Sequence, residues 1–317
     1  VTSLTSGATS INGLSDGLVE GNSIYLGNDP SSTTDNSQYN VSVGISALNS
    51  ITTGQKNTAI GYNSLSTEDE HGNNVAVGYS ALKVQNAGAN AYNVAVGYDA
   101  GKSVTTGVDN VILGGSAGDA LTSGSSNIAI GRLALSTENT GGRNVAIGHK
   151  ALEDLDYAGS GYNIAIGYEA GKNVTTGVSN TILGGQAGDA LTTGSYSVAI
   201  GHLALTNEDT TSGNVAVGYK ALGDSDGGQN NTALGYQSGE NITTGDNNTI
   251  IGAQAGDALT TGSNNTIIGY NAAASGVGAD DEITLGNANN DTIRAAVTSI
   301  SALFRIISSS LSNCFSR

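Results

Sequence analysis

Acidic side chains are the groups in this chain best suited to chemistry. Its 317 residues include 27 Asp and Glu against 11 Lys and Arg, with three His and one Cys. The densest acidic group is Glu68-Asp69-Glu70. Clustered carboxylates can hold a divalent cation, but an acidic run of this kind is more often a solvated loop, which is the interpretation we prefer.

No pattern of an enzyme is visible. The histidines stand far apart at positions 71, 149 and 202, the lone cysteine is Cys314, and no Ser/His/Asp pairing accompanies them. Residues 114–119 loosely resemble calcium-binding β-roll nonapeptides, but their Gly-to-Asp spacing is wrong. The sequence therefore predicts no enzyme, no cofactor and no metal site. A polysaccharide-active solenoid enzyme, with carboxylates paired across repeats, is a minor alternative.

Seven tyrosines share one position of a repeated phrase, directly after its closing glycine. They are Tyr62, Tyr79, Tyr98, Tyr168, Tyr219, Tyr236 and Tyr270. Such a stripe can bind sugars on the outside of a fold, or it can cover a corner by packing. Packing is the preferred interpretation.

The elements that must position these side chains are copies of a five-residue phrase, Asn-Val-Ala-Val-Gly at 74–78. Successive closing glycines, here called marker glycines, are seventeen residues apart except for two steps of nineteen. They are Gly27, Gly44, Gly61, Gly78, Gly97, Gly114, Gly131, Gly148, Gly167, Gly184, Gly201, Gly218, Gly235, Gly252, Gly269 and Gly286. A short, fixed period held this long is typical of a solenoid.

The three apolar residues between each Asn and Gly are mostly β-branched, which favours a strand. Seventeen residues leave room for two short strands and two turns per coil, with successive strands about 4.8 Å apart. The predicted fold class is all-β, a parallel β-roll or β-solenoid of about sixteen 17-residue coils.

A second period of about seventy residues overlies the first. The residue four places after the marker glycine is leucine in some coils, such as Leu82 and Leu135, and glycine in others, such as Gly101 and Gly118. In the glycine coils an apolar residue such as Val104 follows three places later. We therefore expect one core position that is filled from two places in the sequence.

Alternation within the strands leaves apolar residues on both faces, which indicates burial on both sides. A thin coil has only one inside, so the second face needs a partner copy, and small residues there would permit close approach. The sequence thus predicts self-association around an axis. The expected interface residues are Ala76, Ala95, Ala129, Ala146, Ala165, Ile182, Ala216, Ile250, Ile267, Ile293, Val297 and Ile300.

The asparagine that opens each phrase is predicted to form a structural ladder from coil to coil, because buried amides must be hydrogen-bonded. The ladder residues are Asn57, Asn74, Asn93, Asn110, Asn127, Asn144, Asn163, Asn180, Asn214, Asn231, Asn248 and Asn265, with Ser197 in place of one asparagine.

Composition and charge limit the partners. Gly contributes 47 residues and charged residues only 12%, a fibrous composition. A net charge of −16 repels nucleic acid and anionic membranes. No apolar run is long enough to span a membrane, and no signal peptide is visible. We expect neither nucleic-acid binding nor membrane insertion.

The chain divides into three parts: an N-terminal connector at 1–21, the repeat shaft at 22–290 and a C-terminal tail at 291–317. Apolar residues of the tail follow a 4-3 spacing that begins at Ile293, Val297 and Ile300. This spacing favours a short trimeric coiled coil. The alternative is an extended tail packed over the last coil.

The phrases Asn-Val-Ala-Val-Gly and Asn-Ile-Ala-Ile-Gly resemble the repeats of YadA-type trimeric adhesin heads. The longer pattern Gly-Tyr-x-Ala-Leu…Thr-Thr-Gly-x-Asn-Asn-Thr-x-Ile-Gly is similar to bacteriophage tail-fibre proteins. This resemblance, over roughly residues 22–300, implies a left-handed roll and a trimer. The expected role is a structural, adhesive tail fibre of a virion that contacts a cell-surface glycan or protein receptor. The alternative is a bacterial surface adhesin or extracellular filament subunit.

Overall fold

The computed structural model describes residues 17–27, 36–207 and 210–289, and this part of the chain contains seventeen strands and no helix. Nothing in it therefore resembles a membrane-spanning helix. The strands are β1 Gly17–Glu20, β2 Ser23–Leu26, β3 Val41–Val43, β4 Thr58–Ile60, β5 Val75–Val77, β6 Val94–Val96, β7 Val111–Leu113, β8 Ile128–Ile130, β9 Val145–Ile147, β10 Ile164–Ile166, β11 Thr181–Leu183, β12 Val198–Ile200, β13 Val215–Val217, β14 Thr232–Leu234, β15 Thr249–Ile251, β16 Thr266–Ile268 and β17 Ile283–Leu285.

A single sheet runs along the molecule. Each strand from β2 to β16 pairs in parallel with the next strand along the chain, and equivalent residues lie side by side, as Ala76 beside Ala95. The chain thus makes about fifteen turns of a parallel β-solenoid, which confirms the predicted all-β solenoid.

The sheet starts before the predicted boundary of the shaft. β1 lies within residues 1–21, the predicted connector, and it pairs antiparallel with β2. At the other end, the predicted tail at 291–317 lies outside the described residues.

Each strand from β3 to β16 turns its middle residue into the coil. Ala76 is fully buried, whereas its neighbours Val75 and Val77 are partly exposed on the outer surface. The same pattern repeats along the sheet, for example around Ala146 in β9. The core is therefore a single column of small and medium side chains enclosed by the chain's own coils.

This orientation corrects the predicted trimer interface. Nine of its residues are at most 1% exposed within a single chain, namely Ala76, Ala95, Ala129, Ala146, Ala165, Ile182, Ala216, Ile250 and Ile267. Residues enclosed by their own coil do not reach a partner copy. The physical reason is the narrow interior: it holds alanine opposite leucine, as Ala76 with Leu82, and isoleucine opposite glycine, as Ile182 with Gly188. Ile293, Val297 and Ile300 lie outside the described residues.

The wall opposite the strands supplies the larger core side chains. Leu82 is fully buried, and in the coil that carries Gly101 the buried residue is Val104 instead. A Cβ at Gly101 would lie 2.8 Å from Ile112 Cδ1 and 3.3 Å from Val104 Cγ2. The volume that a leucine needs is already occupied there, so glycine is required.

The leucines of this wall have an unusual backbone. Leu82 adopts φ +47° and Leu135 φ +54°, in the left-handed region that costs roughly 1–2 kcal/mol for an L-residue. Full burial of a leucine side chain contributes about 1.5–3 kcal/mol. The free energy gained by burying the side chain therefore outweighs the backbone strain, and the left-handed turn is stable.

The prediction of two strands per coil is wrong. Within the described residues, the far side of the coils consists of turns that hydrogen-bond to the next coil without forming a strand. The backbone N–H groups of Thr105, Thr106 and Gly107 all donate to the carbonyl of Thr122, at 2.9, 3.2 and 3.1 Å. Three donors that converge on one carbonyl do not form the alternating ladder of a sheet.

The marker glycines allow coils to approach closely. Gly148 has φ +139°, and an added Cβ would lie 2.1 Å from the carbonyl oxygen of Gly167 in the next coil. Gly131 meets Gly148 in the same way, at 2.3 Å. Both the backbone conformation and the contact exclude a side chain at this position.

We expect Gly148→Ala to lower the free energy of unfolding by at least about 2 kcal/mol, because a non-glycine residue in such a backbone region costs about 1–3 kcal/mol before any clash. Gly115→Ala is the control, since Gly115 has no positive φ and nothing lies within 4 Å of its added Cβ. Thermal unfolding followed by circular dichroism compares the two variants. Equal melting temperatures would contradict the close-approach argument.

Candidate functional site

The asparagines form a continuous hydrogen-bonded column, here called the asparagine ladder. At Asn110 the backbone N–H donates to Oδ1 of Asn93 at 2.8 Å. Its own Oδ1 accepts from the N–H of Asn127 at 2.9 Å, and its Nδ2 donates to the carbonyl of Gly124 at 2.9 Å. Each amide thus ties its strand to the next strand and to the next loop.

All twelve predicted ladder asparagines are at most 1% exposed. Nδ2 bonds to a loop carbonyl fourteen residues ahead recur at Asn57, Asn93, Asn127, Asn163, Asn180, Asn214, Asn231, Asn248 and Asn265. Ser197, which stands in for an asparagine, still donates its N–H to Oδ1 of Asn180 at 2.9 Å.

The pattern changes where a coil is two residues longer. Such coils follow Asn74 and Asn144, whose successors in the ladder are nineteen residues ahead. The amide of Asn74 donates to Oε2 of Glu68 at 3.3 Å, and the amide of Asn144 lies 3.4 Å from Oδ1 of Asn127. The lengthened loops therefore need other means of support.

Two buried glutamates brace these regions. Glu68 is fully buried, and its Oε1 accepts the N–H of His71 at 3.1 Å. Burial raises the pKa of Glu68 to about 7. Sequence reasoning placed Glu68 in a solvated loop, which is wrong; the available signal was its position, equivalent to that of buried Val104 in another coil.

Glu138 repeats this arrangement seventy residues later. Its Oε1 accepts the N–H groups of Asn139 and Gly141 at 3.0 and 2.7 Å, and its Oε2 lies 3.4 Å from the N–H of Tyr157 in the lengthened coil. Burial raises the pKa of this carboxyl as well. These two carboxylates hold loops together, because both oxygens of each accept hydrogen bonds from the surrounding chain.

Two groups of residues have side chains that could bind a metal ion. One ligand atom each from Glu68, Asp69 and His71 lies within 4.8 Å of the others. Both oxygens of Glu68 already accept hydrogen bonds from the fold, which favours loop support over cation binding. In the segment that resembles a calcium nonapeptide, the carboxylate of Asp119 pairs with Lys102 at 3.2 Å.

The residues after the marker glycines form an exposed aromatic column, here called the tyrosine column. The rings of Tyr62, Tyr79 and Tyr98 stack at centroid distances of 5.2 Å, yet they are 45%, 47% and 60% exposed. Two of the three histidines also belong to this column, since His149 stacks on Tyr168 and His202 stacks on Tyr219. The rings pack on one another and still face solvent.

The first and third residues of β3–β17, together with Ile24 and Leu26 of β2, form a second exposed surface, here called the outer strand face. The last residue of each of these strands is apolar: Leu26, Val43, Ile60, Val77, Val96, Leu113, Ile130, Ile147, Ile166, Leu183, Ile200, Val217, Leu234, Ile251, Ile268 and Leu285. Leu183 and Leu234 are 45% and 47% exposed. Sequence reasoning found this face but assigned it to the alanines.

No protein-family model matches this chain, and no curated protein matches it. What the protein can do is therefore argued from two surfaces, the outer strand face and the tyrosine column, and from the buried glutamates beneath the loops.

We expect the melting temperature to depend on pH through Glu68. Because its pKa is about 7 when folded against 4.5 unfolded, the folded protein binds the proton more tightly. The stability that this group contributes is complete below about pH 4.5 and is lost as the pH rises through about 7. Wild-type protein should lose melting temperature over this window relative to Glu68→Gln.

Glu68→Gln keeps only one acceptor oxygen for the two donors His71 and Asn74. One of these bonds is lost, so a constant offset is expected and only the change with pH is diagnostic. Glu70→Gln, at an exposed neighbouring position, is the control. A difference between wild type and Glu68→Gln that stays constant from pH 5 to 8 would show that Glu68 does not titrate there.

The ladder has its own prediction. Asn127→Ala leaves the carbonyl of Gly141 and the N–H of Asn144 without their partner, at about 1–3 kcal/mol for each buried group. Urea unfolding should show a loss of several kcal/mol. The control Asn86→Ala changes an exposed asparagine and should unfold like wild type; similar losses in both would rule out the ladder as the cause.

Proposed function

We propose that this chain is a segment of a homotrimeric, structural and adhesive fibre. The observation that carries the proposal is the outer strand face. Sixteen strands present apolar residues outward in line, from Leu26 to Leu285. Parallel sheets are normally covered on both faces, and no other part of the described chain covers the outer face here.

The size of this face suits self-association. Sixteen strands of three residues make a surface about 72 Å long and 10 Å wide, roughly 700 Å². Soluble monomers rarely expose contiguous apolar patches above a few hundred Å². A standard interface buries about 800 Å² per partner. The face therefore has the extent of an interface rather than of an ordinary surface.

A second copy of the same chain is the occupant that fits best. Identical copies carry the same 17-residue pitch, so their apolar rows match along the full length. Three copies around one axis is the number implied by the resemblance to YadA-type heads and phage tail fibres. A net charge of −16 per chain favours a contact through this uncharged face over any other surface.

The proposed role is attachment to a host surface as part of a tail fibre on a virion. A bacterial surface adhesin or an extracellular filament subunit is the alternative with the same geometry. Antibody labelling in electron micrographs separates them, since it places the chain on a virion fibre or on a cell surface. Release of reducing sugars from polysaccharides by the purified chain would favour a solenoid enzyme instead.

The trimer is tested on the outer strand face. The double variant Ile130→Glu with Ile147→Glu puts charges on the neighbouring strands β8 and β9, where burial without a partner costs several kcal/mol. Wild type should sediment at about three times the chain mass of 31.5 kDa, and the variant at the chain mass.

Thr137→Glu adds a charge at an exposed turn position and should stay trimeric. Circular dichroism checks that each variant keeps its strands. A wild-type chain that sediments as a monomer, or a double variant that assembles fully, would overturn the proposed interface.

A further inference from the structure

The tyrosine column is interrupted at three places. The position after the marker glycine is Gly115, Gly185 and Ala253 in three coils that lie four coils apart. Planar side chains stand on both sides of each gap: Tyr98 and Arg132, Tyr168 and His202, Tyr236 and Tyr270.

The backbone does not require glycine at these gaps. The marker glycines next to them, Gly114 and Gly184, have φ +138° and +142°, whereas Gly115 and Gly185 have no positive φ. A Cβ at Gly115 meets nothing within 4 Å, and a Cβ at Gly185 has His202 Cδ2 nearest, at 3.4 Å. A side chain would therefore fit without strain at both glycines, and at Gly115 its absence leaves open space.

Each gap has the dimension of one ring. Rings one coil apart stack at 5.2 Å, so side chains two coils apart stand about 10 Å apart, twice the strand spacing. A ring placed midway would lie about 5 Å from each wall, within the range of stacked rings.

Polar groups border the gaps. Ser116, Gln186 and Gln254 directly follow the three small residues. Near the third gap, Gln237, Glu240 and Gln254 line part of a shallow depression of about 190 Å³. Near the second, Gln186 Nε2 donates to Glu169 Oε2 at 3.3 Å. A ring that enters therefore meets flat walls on two sides and hydrogen-bonding groups at one edge.

We propose that the three gaps are binding slots for the pyranose rings of a neutral polysaccharide. A pyranose has a flat C–H face that stacks on aromatic rings and hydroxyls at its rim that bond amides and carboxylates. The acidic chain disfavours an acidic sugar. The choice of a sugar rests on the proposed adhesive role; the slots themselves rest on the column's geometry.

Substitutions that fill the existing slots, or that create a new one, test the inference. The triple variant Gly115→Tyr, Gly185→Tyr and Ala253→Tyr closes all three by completing the column. Conversely, Tyr79→Gly opens a fourth between Tyr62 and Tyr98. Thr137→Tyr adds a tyrosine at an exposed turn position and is the control.

The probe is methyl β-D-glucopyranoside, with methyl α-D-mannopyranoside in parallel, and binding to the full chain is followed by saturation-transfer NMR. We expect transfer to ring protons of at least one glycoside with wild type and Thr137→Tyr, its loss in the triple variant, and about a one-third increase with Tyr79→Gly. No transfer in wild type, full transfer in the triple variant, or no increase with Tyr79→Gly would each overturn the slots.

The other ring-shaped occupant that could fit a slot is a tyrosine side chain of another protein. p-Cresol mimics this side chain and serves as the probe for it. Binding of p-cresol without binding of either glycoside would overturn the sugar assignment. Sedimentation of the same samples keeps the two proposals separate. Slot binding by a monomeric chain would reject the trimer but keep the slots, and a trimer that binds no glycoside would do the reverse.

Discussion

The asparagine ladder is the interaction on which the rest of the solenoid depends. Each coil buries backbone N–H and C=O groups that need hydrogen-bond partners at a fixed position on the next coil. A buried group without a partner costs about 1–3 kcal/mol. Because Asn110 bonds both Asn127 in the next strand and Gly124 in the next loop, a slip of one wall relative to the other would break bonds in every coil. The ladder thus locks strand and turn to a common pitch.

Coils held this close impose the strained and special backbone seen elsewhere. The marker glycines are required because the Cβ of any other residue would meet the next coil's carbonyl, as at Gly148. The left-handed leucines are tolerated because burial outweighs their strain. Where a coil is longer, a ladder amide loses its loop carbonyl, and the buried carboxylate of Glu68 takes its place at Asn74. Each irregularity is compensated within one or two coils, as expected of a nearly one-dimensional structure.

Periodicity predicted most of the strands well, because an Asn and a Gly bound nearly all of them in sequence: the phrase at 74–78 contains β5 Val75–Val77. It did not predict which face is inside, since alternation is symmetric and both faces are apolar. The volumes of the residues that face each other would have identified the inner face. Ile112 lies opposite Gly118 and Ala76 lies opposite Leu82, so in these coils a large residue is matched with a small one across the narrow core. The burial of Glu68 was not predicted, because a charged side chain is usually exposed to solvent, whereas this position of the repeat lies in the interior. The sequence predicted the tyrosine stripe but not that histidine extends it. The available signal was that His149 follows a marker glycine as Tyr168 does.

The seventy-residue period couples the core to the surface. The coils that carry isoleucine at the strand centre and glycine opposite, at Ile112 and Gly118 or Ile182 and Gly188, also carry the small residues Gly115 and Gly185. Four coils correspond to about 19 Å, so the proposed slots recur at that interval on a rigid rod. Single stacking sites are weak, and repeated ones gain by effective concentration only when the ligand's own spacing matches theirs. Selectivity for a polymer would then come from the solenoid pitch that the asparagine ladder sets, more than from the chemistry of any one slot.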